Sequence, residues 1–579
     1  MHATEPEPRS RPRALVVALL MVGSLVCIKS FYDLGQTYGD FRIPQQAVNT
    51  IPEAELVFYA WYALFGALVT LFVACAAAEL SLGLRLRTAF ERACEQPQRL
   101  IWALGLLLFG GSLAFRRLVL EGQPIADDEA TYLFVARTLL SGRLTNPPPA
   151  DPDFFRNQFV VLNDHAWYGK YPIGHPLWLA LGEALHVRDL MAPLAGALCV
   201  GLTYAVGRRF VSDRRALLGA ALLCASPHFV WTCGTLLSQP TSCLTLLSGT
   251  WLLLRSHERD SVRLAALAGA VFGFGVLVRP LPGGLFAVVA GCAYLLRALR
   301  AARDARTRRW RQCAGFVALC GLGCVALLLV NYAQTGAPFT SGYDEAHKHV
   351  SLFGGAQGLT NSLFGALLRE NFWLFGVPCS LAPVLLCRPR HKTGLWFGLI
   401  AAELAYRLVS PKTVVSTTGP IYMTEIVPLL TLAAADGLVR LGQFLSAIAD
   451  RWRVNAATLV AAGVVAALSM FWPVHLQTAR RGAELRSLVF RALIESHADR
   501  ALVFADALVY PASGVSWAYF PDNPSPRLDD DILFVRIPKL DPLHDMQLFW
   551  QRRFADRRAF VFTWAEGGTP VFRELSARD

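Results

Sequence analysis

Long, nearly uncharged apolar stretches constrain this chain more than any other feature. Ala14–Ile28, Leu56–Ala78, Ile101–Leu120, Ala216–Trp231, Leu236–Leu254 and Ala314–Val330 are such runs. About 20 predominantly apolar residues carry a helix across a bilayer. Within hydrocarbon a helix satisfies its own backbone hydrogen bonds, so runs of this length are read as helices. The composition agrees: 54% of the 579 residues are hydrophobic and 17% are charged. Soluble proteins carry about 25% charged residues. The expected fold class is an all-α polytopic membrane protein with a small C-terminal α/β portion.

The net charge of +12 is a topology signal rather than a nucleic-acid surface. Arginines cluster in every second gap between the apolar runs: Arg9, Arg11 and Arg13; Arg85, Arg87, Arg92 and Arg99; Arg208, Arg209, Arg214 and Arg215; Arg255, Arg259 and Arg263; then Arg297 to Arg311. Arg388, Arg390 and Lys392, and Arg440, Arg451 and Arg453, continue the pattern. The alternate gaps are poor in Lys and Arg, which is the positive-inside rule at work. It predicts about thirteen spans near 14–31, 56–82, 100–119, 189–207, 216–233, 236–254, 263–279, 281–297, 313–332, 372–387, 394–409, 420–439 and 455–473. The N-terminus is expected inside and the C-terminus outside, in a bacterial inner membrane. The first run resembles a signal peptide, yet no small-residue cleavage site follows Ile28, and an uncleaved helix is expected. Most of the 13 cysteines lie within apolar runs and read as small apolar fillers.

Three portions are expected: two helices and a basic loop over 1–99, a membrane core over 100–474, and a soluble α/β domain over 475–579. Within the core, 121–188 is a long outer loop. Glu129–Leu140 places Tyr132, Leu133, Ala136, Leu139 and Leu140 on one face, the spacing of an interfacial helix. In the last portion Ala501–Ala505, Ile532–Ile537 and Ala559–Trp564 read as strands and His544–Phe554 as a helix.

The outer loop carries the chemistry. Asp127, Asp128 and Glu129 stand just outside a membrane helix. A carboxylate there accepts the proton of an attacking hydroxyl, and equally caps a helix. Lys170, within Trp167–Pro176, holds a phosphate as a point charge or anchors the loop at the interface. Arg279 ends an apolar run on the side where cations are sparse. It either meets an anion such as a lipid phosphate or snorkels to the headgroups. His175 reads as a structural or substrate-orienting group, because no second metal ligand stands at useful spacing.

In order and sidedness these motifs resemble the membrane glycosyltransferases of the GT-C fold, above all the protein O-mannosyltransferase and lipid A aminoarabinose transferase group. Asp128-Glu129 is followed by Tyr132, Ala136-Arg137 and Ser141-Gly142-Arg143, then by Lys170-Tyr171-Pro172-Ile173-Gly174-His175-Pro176, then by Leu277-Val278-Arg279-Pro280. The likeness spans about residues 100–475. Where relatives often carry an acid in a further outer turn, this chain has Ser238-Gln239, so Asp127 is the candidate to substitute.

The resemblance implies a polyprenyl-phosphate sugar as donor, transfer with inversion, and an acceptor that the sequence does not name. Asp128 is implied as base with Asp127 and Glu129 beside it. Lys170 and Arg279 are implied on the donor phosphate, and Tyr132, Tyr171 and His175 on substrate. No cofactor is expected, no metal ligand set is assigned, and a divalent metal is left open. The alternative is a transporter or flippase of a lipid-linked or small polar substrate. Glu403 and Arg407, four apart on one helix, are its best candidates.

Overall fold

The computed structural model describes residues 10–37, 53–124, 126–157, 159–346, 363–388, 393–409, 419–448, 455–505, 525–538 and 541–576. Among them, eight helices are long and apolar enough to cross a membrane. These are Ala14–Thr37, Glu53–Glu79, Pro97–Val119, Arg188–Gly207, Pro280–Leu299, Arg303–Thr335, Ile421–Leu445 and Ala456–Glu495. A ninth is formed if Asp213–Ala225 and Pro227–Cys233, bent by 62°, count as one span. The protein is therefore a multi-pass membrane protein.

The other expected spans take forms that hydropathy does not separate. The bend falls at Ser226, whose ψ of 113° leaves the helix because the following Pro227 disfavours helical backbone before it. Gln239–Arg259 is a helix rich in Ser and Thr and is buried along most of its length. Its hydroxyls return to its own carbonyls, Thr245 to Ser242 and Thr250 to Leu246, each at 2.8 Å. Polar residues are thus tolerated inside the bundle. The helices Val262–Val278 and Leu395–Ala405 are apolar but short. The expected span 372–387 is instead two pieces, Gly365–Trp373 and Ala382–Leu385. Glu403 is buried on its helix, and the side chain of Arg407 lies outside the described residues.

The polar region expected from His475 opens differently. His475 lies within a 40-residue rod, Ala456–Glu495, which continues through a π turn at Ala467–Phe471. Val474, Ala479, Ala483, Val489 and Leu493 form a buried stripe along its second half. That helical stripe is diluted by arginines and glutamates on the other face, so mean polarity conceals it.

Beyond the rod, β3 (Ala501–Ala505), β4 (Ile532–Arg536), β5 (Arg558–Trp564) and β6 (Pro570–Glu574) form a sheet in the order β4-β3-β5-β6. β3 runs parallel to β4 and β5, and β6 runs antiparallel to β5. The helix Pro542–Arg553 follows β4. Leu502, Phe504, Leu533, Val535 and Phe549 pack in one cluster with Phe134, Val135, Phe155 and Trp167 of the outer loop. Ion pairs join the same two regions: Arg553 meets Asp151 at 2.8 Å, and Arg137 meets Asp530 at 3.6 Å. Loop and sheet therefore share one side of the bundle.

In the outer loop, helix Asp127–Leu140 is followed by a hairpin of β1 (Val160–Leu162) and β2 (Trp167–Gly169) and by helix Gly174–Ala184. The first helix was expected to lie at an interface with one face in lipid. It is instead covered on both sides, with Phe134 and Val135 toward the sheet cluster and Tyr132, Leu133 and Ala136 in a second cluster with Phe159, Tyr171 and Leu179.

Candidate active site

The three acids diverge as helix geometry requires, since successive side chains turn by about 100°. Glu129 is fully buried and structural in its contacts. Its Oε1 accepts the Ala126 N–H at 3.3 Å, and its Oε2 accepts the Leu236 N–H at 2.7 Å. The buried Arg116 guanidinium lies 3.9 Å from Glu129 and bonds Asp189 at 2.8 Å. Asp127 is buried at the start of the helix within the field of Arg486. Asp128 is half-buried and takes the hydrogen bond of the Tyr171 hydroxyl at Oδ1.

An aromatic cluster surrounds that carboxylate. The Tyr132 and Tyr171 rings lie 4.5 Å apart, and Tyr343 meets Tyr171 edge-on at 5.4 Å. The Tyr132 hydroxyl donates to Ser238 Oγ at 3.1 Å. Burial, and then the charge of Asp128, raise the pKa values of the Tyr132 and Tyr171 hydroxyls. Both are neutral donors at physiological pH. Lys170 enters from the end of the hairpin. Its Nζ sits 3.2 Å from the centre of the Phe159 ring, 4.9 Å from Tyr171 and 5.4 Å from Tyr343. Ring faces attract such a cation through their quadrupoles.

Arg279 approaches from the membrane bundle. It occupies the single extended residue, φ −146°, between helices Val262–Val278 and Pro280–Leu299. Its charge reaches Tyr132, Tyr343 and Tyr422. Its guanidinium donates to Glu425 Oε1 at 2.9 Å. Two glycines allow these elements to meet. A Cβ on Gly174 would stand 2.5 Å from Val278 N, and one on Gly342 would stand 2.7 Å from Lys170 Cα. Gly174 thus seats the start of its helix on the end of the helix that presents Arg279, and Gly342 brings Tyr343 to Lys170.

His175 faces away from the carboxylate. Its Nδ1 pairs with Thr241 Oγ1 at 3.0 Å and its Nε2 with the Leu236 carbonyl at 2.8 Å. Burial pushes its pKa down to about 4, so the ring is neutral. It supports Tyr132 edge-on at 4.7 Å.

The structure therefore brings Asp128, Tyr132, Lys170, Tyr171 and Arg279 into one cluster. It turns Glu129 and His175 toward the 235–241 turn. Among the described residues no group of three His, Cys, Asp or Glu is arranged to hold a metal. Phe159, Tyr343, Tyr422 and Glu425 belong to the cluster and are not legible as such in local motifs. For Glu425 a signal exists, an acid inside an otherwise apolar segment.

Comparison with known proteins bears on the fold that holds this cluster. The family model for dolichyl-phosphate-mannose-protein mannosyltransferase matches residues 177–327, a segment that contains Arg279 but neither Asp128 nor Lys170. The undecaprenyl phosphate-α-4-amino-4-deoxy-L-arabinose arabinosyl transferase of Pseudomonas aeruginosa is 26% identical over 324 residues, 53% of this chain and 50% of that protein. The match thus spans about half the length of that curated relative. Among solved structures, ArnT from Cupriavidus metallidurans bound to undecaprenyl phosphate superposes with a TM-score of 0.50 at 13% identity, covering 82% of this chain and 98% of that one. Its apo form gives the same TM-score at 14% identity and the same coverage. The chain thus has the GT-C fold and resembles the protein O-mannosyltransferase and aminoarabinose transferase group of membrane glycosyltransferases.

Proposed function

We propose that this protein transfers a sugar from a polyprenyl-phosphate donor to an acceptor hydroxyl on the non-cytoplasmic face of a bacterial inner membrane. The observation that carries the reading is the convergence of one carboxylate, Asp128, with two cations, Lys170 and Arg279, through shared tyrosines. The solved relative bound to undecaprenyl phosphate supports the donor class.

In this reading the acceptor oxygen attacks the anomeric carbon as its proton passes to Asp128. The bond from that carbon to the phosphate oxygen breaks, and its electron pair leaves with the polyprenyl phosphate. The configuration inverts because attack and departure are in line. The leaving group gains charge, so fixed cations stabilise it more than a proton donor does. Lys170 and Arg279 fill that role, Arg with a planar fork and Lys as a point charge. Tyr171 orients Asp128, and Tyr132 lines the sugar site. Asp127 and Glu129 set the helix start, and His175 shapes the site through Tyr132. The sheet of β3 to β6 packs on the outer loop and holds it in place.

The test is reconstitution with labelled undecaprenyl-phosphate sugars, together with mass spectrometry of envelope glycans with and without the gene. A missing glycan and matching accumulation of a polyprenyl-phosphate sugar are expected. Lys170→Ala and Arg279→Ala each weaken donor binding in the purified protein. Unchanged affinity in both variants removes the phosphate assignment.

A further inference from the structure

Arg279 already holds an anion, the carboxylate of Glu425. Its partner, Glu425, comes from the 3₁₀ turn Ile421–Ile426 that leads into the helix Val427–Ile448. The pair joins residues 146 positions apart at 2.9 Å. The Glu425 side chain is fully buried and that of Arg279 is 14% exposed. Only one carboxylate oxygen is used. Glu425 Oε2 is buried with no hydrogen-bond partner, an arrangement that costs free energy in a dry site. The turn that carries Glu425 is firmly placed. Thr424 next to it receives or donates a hydrogen bond at His228 Nε2, 3.0 Å away, and the other nitrogen of His228 meets Glu370 at 2.8 Å.

We propose that Glu425 is the resident counter-ion of Arg279 and a positioning residue that sets how tightly the donor phosphate is held. The inference rests on the donor reading given above. A guanidinium at this depth requires a negative partner while the site is empty. Glu425 supplies it and aims the fork, leaving further N–H groups of the same guanidinium for a phosphate. When the phosphate arrives, two anions share one cation. Their repulsion in a low-dielectric site weakens binding, so both the donor and the phosphate product remain exchangeable. A glutamate here therefore trades affinity for release.

The experiment measures binding of undecaprenyl phosphate to the full-length protein in nanodiscs, alongside the KM and kcat of transfer. Glu425→Gln keeps the shape and an acceptor for Arg279 but removes the charge. It should bind undecaprenyl phosphate on the order of tenfold more tightly, lowering KM and kcat together. Glu425→Asp, which withdraws the carboxylate by one methylene, should shift affinity in the same direction by a smaller factor. A purely structural role for Glu425 would instead lower kcat with no gain in affinity. Wild-type binding with unchanged or weakened affinity in both variants overturns the counter-ion role alone. A wild-type protein that does not bind undecaprenyl phosphate overturns the donor reading and this inference with it.

Discussion

The Tyr171 hydroxyl donates a hydrogen bond to Asp128 Oδ1, joining the start of the outer-loop helix to the return of the same loop toward the membrane. The bond fixes which of three neighbouring acids faces the aromatic cluster. It also places that acid one residue away from Lys170 in the sequence of its partner.

Asp128→Asn separates capping from catalysis, because Asn caps a helix nearly as well as Asp. Turnover of the purified variant should fall roughly 100-fold or more with donor binding retained. Transfer at the wild-type rate would remove Asp128 from the mechanism and move suspicion to Asp127. Tyr171→Phe keeps the ring and loses only the bond, so turnover should fall by about tenfold.

Glu129 is expected to matter for stability rather than chemistry. Glu129→Ala strands the Leu236 N–H and takes one of two carboxylates, the other being Asp189, from the buried Arg116. Breaking a buried ion pair from one side costs roughly 3–5 kcal/mol. Thermal unfolding in detergent should show a large drop for Glu129→Ala. A variant with wild-type melting and selectively lost turnover would contradict this assignment.

His175 gives the fold a pH dependence of known sign. Its folded pKa of about 4 lies below the ordinary 6.5, so the unfolded chain binds the extra proton between these values. Stability from the neutral ring is complete above pH 6.5 and is lost progressively as pH falls toward 4. The full contribution is about 3 kcal/mol. Unfolding measured at pH 7 and 4.5 should show this loss in the wild type and a shallower slope in His175→Gln. Equal slopes would mean that another group carries the acid sensitivity.

The loop and the sheet share a side through the Arg553–Asp151 and Arg137–Asp530 pairs. Cysteines introduced at Ala150 and Glu566, both exposed, should react alike with a membrane-impermeant maleimide in sealed cells. The exposed Cys292, Cys324 and Cys379 are first replaced by serine. A cysteine at Asp304 should stay unlabelled until the membrane is opened. Labelling at only one of the two outer positions would break the topology.

By itself the sequence determined where most helices run and which loop gathers the candidate residues. Hydropathy and arginine spacing are summed over many residues, and each helix closes its own hydrogen bonds, so local reading suffices. The strands at 501–505 and 532–536 were legible as short apolar runs in a polar region, of the length that a buried strand takes. Tertiary structure alone decided the rest. Asp127, Asp128 and Glu129 are three adjacent acids that only the family resemblance ranks. They differ because Leu236 and Arg116 claim Glu129 and Tyr171 claims Asp128, from segments far along the chain. His175 was open between a structural and a substrate-orienting role, and Thr241 and Leu236 take both of its nitrogens. Glu425 carried only the weak signal of an acid in an apolar run, as Glu403 did, and its pairing with Arg279 depends on how two distant helix ends meet. Burial in the membrane interior raises the stakes of each unpaired charge, so long-range packing, not motif spacing, assigned the partners.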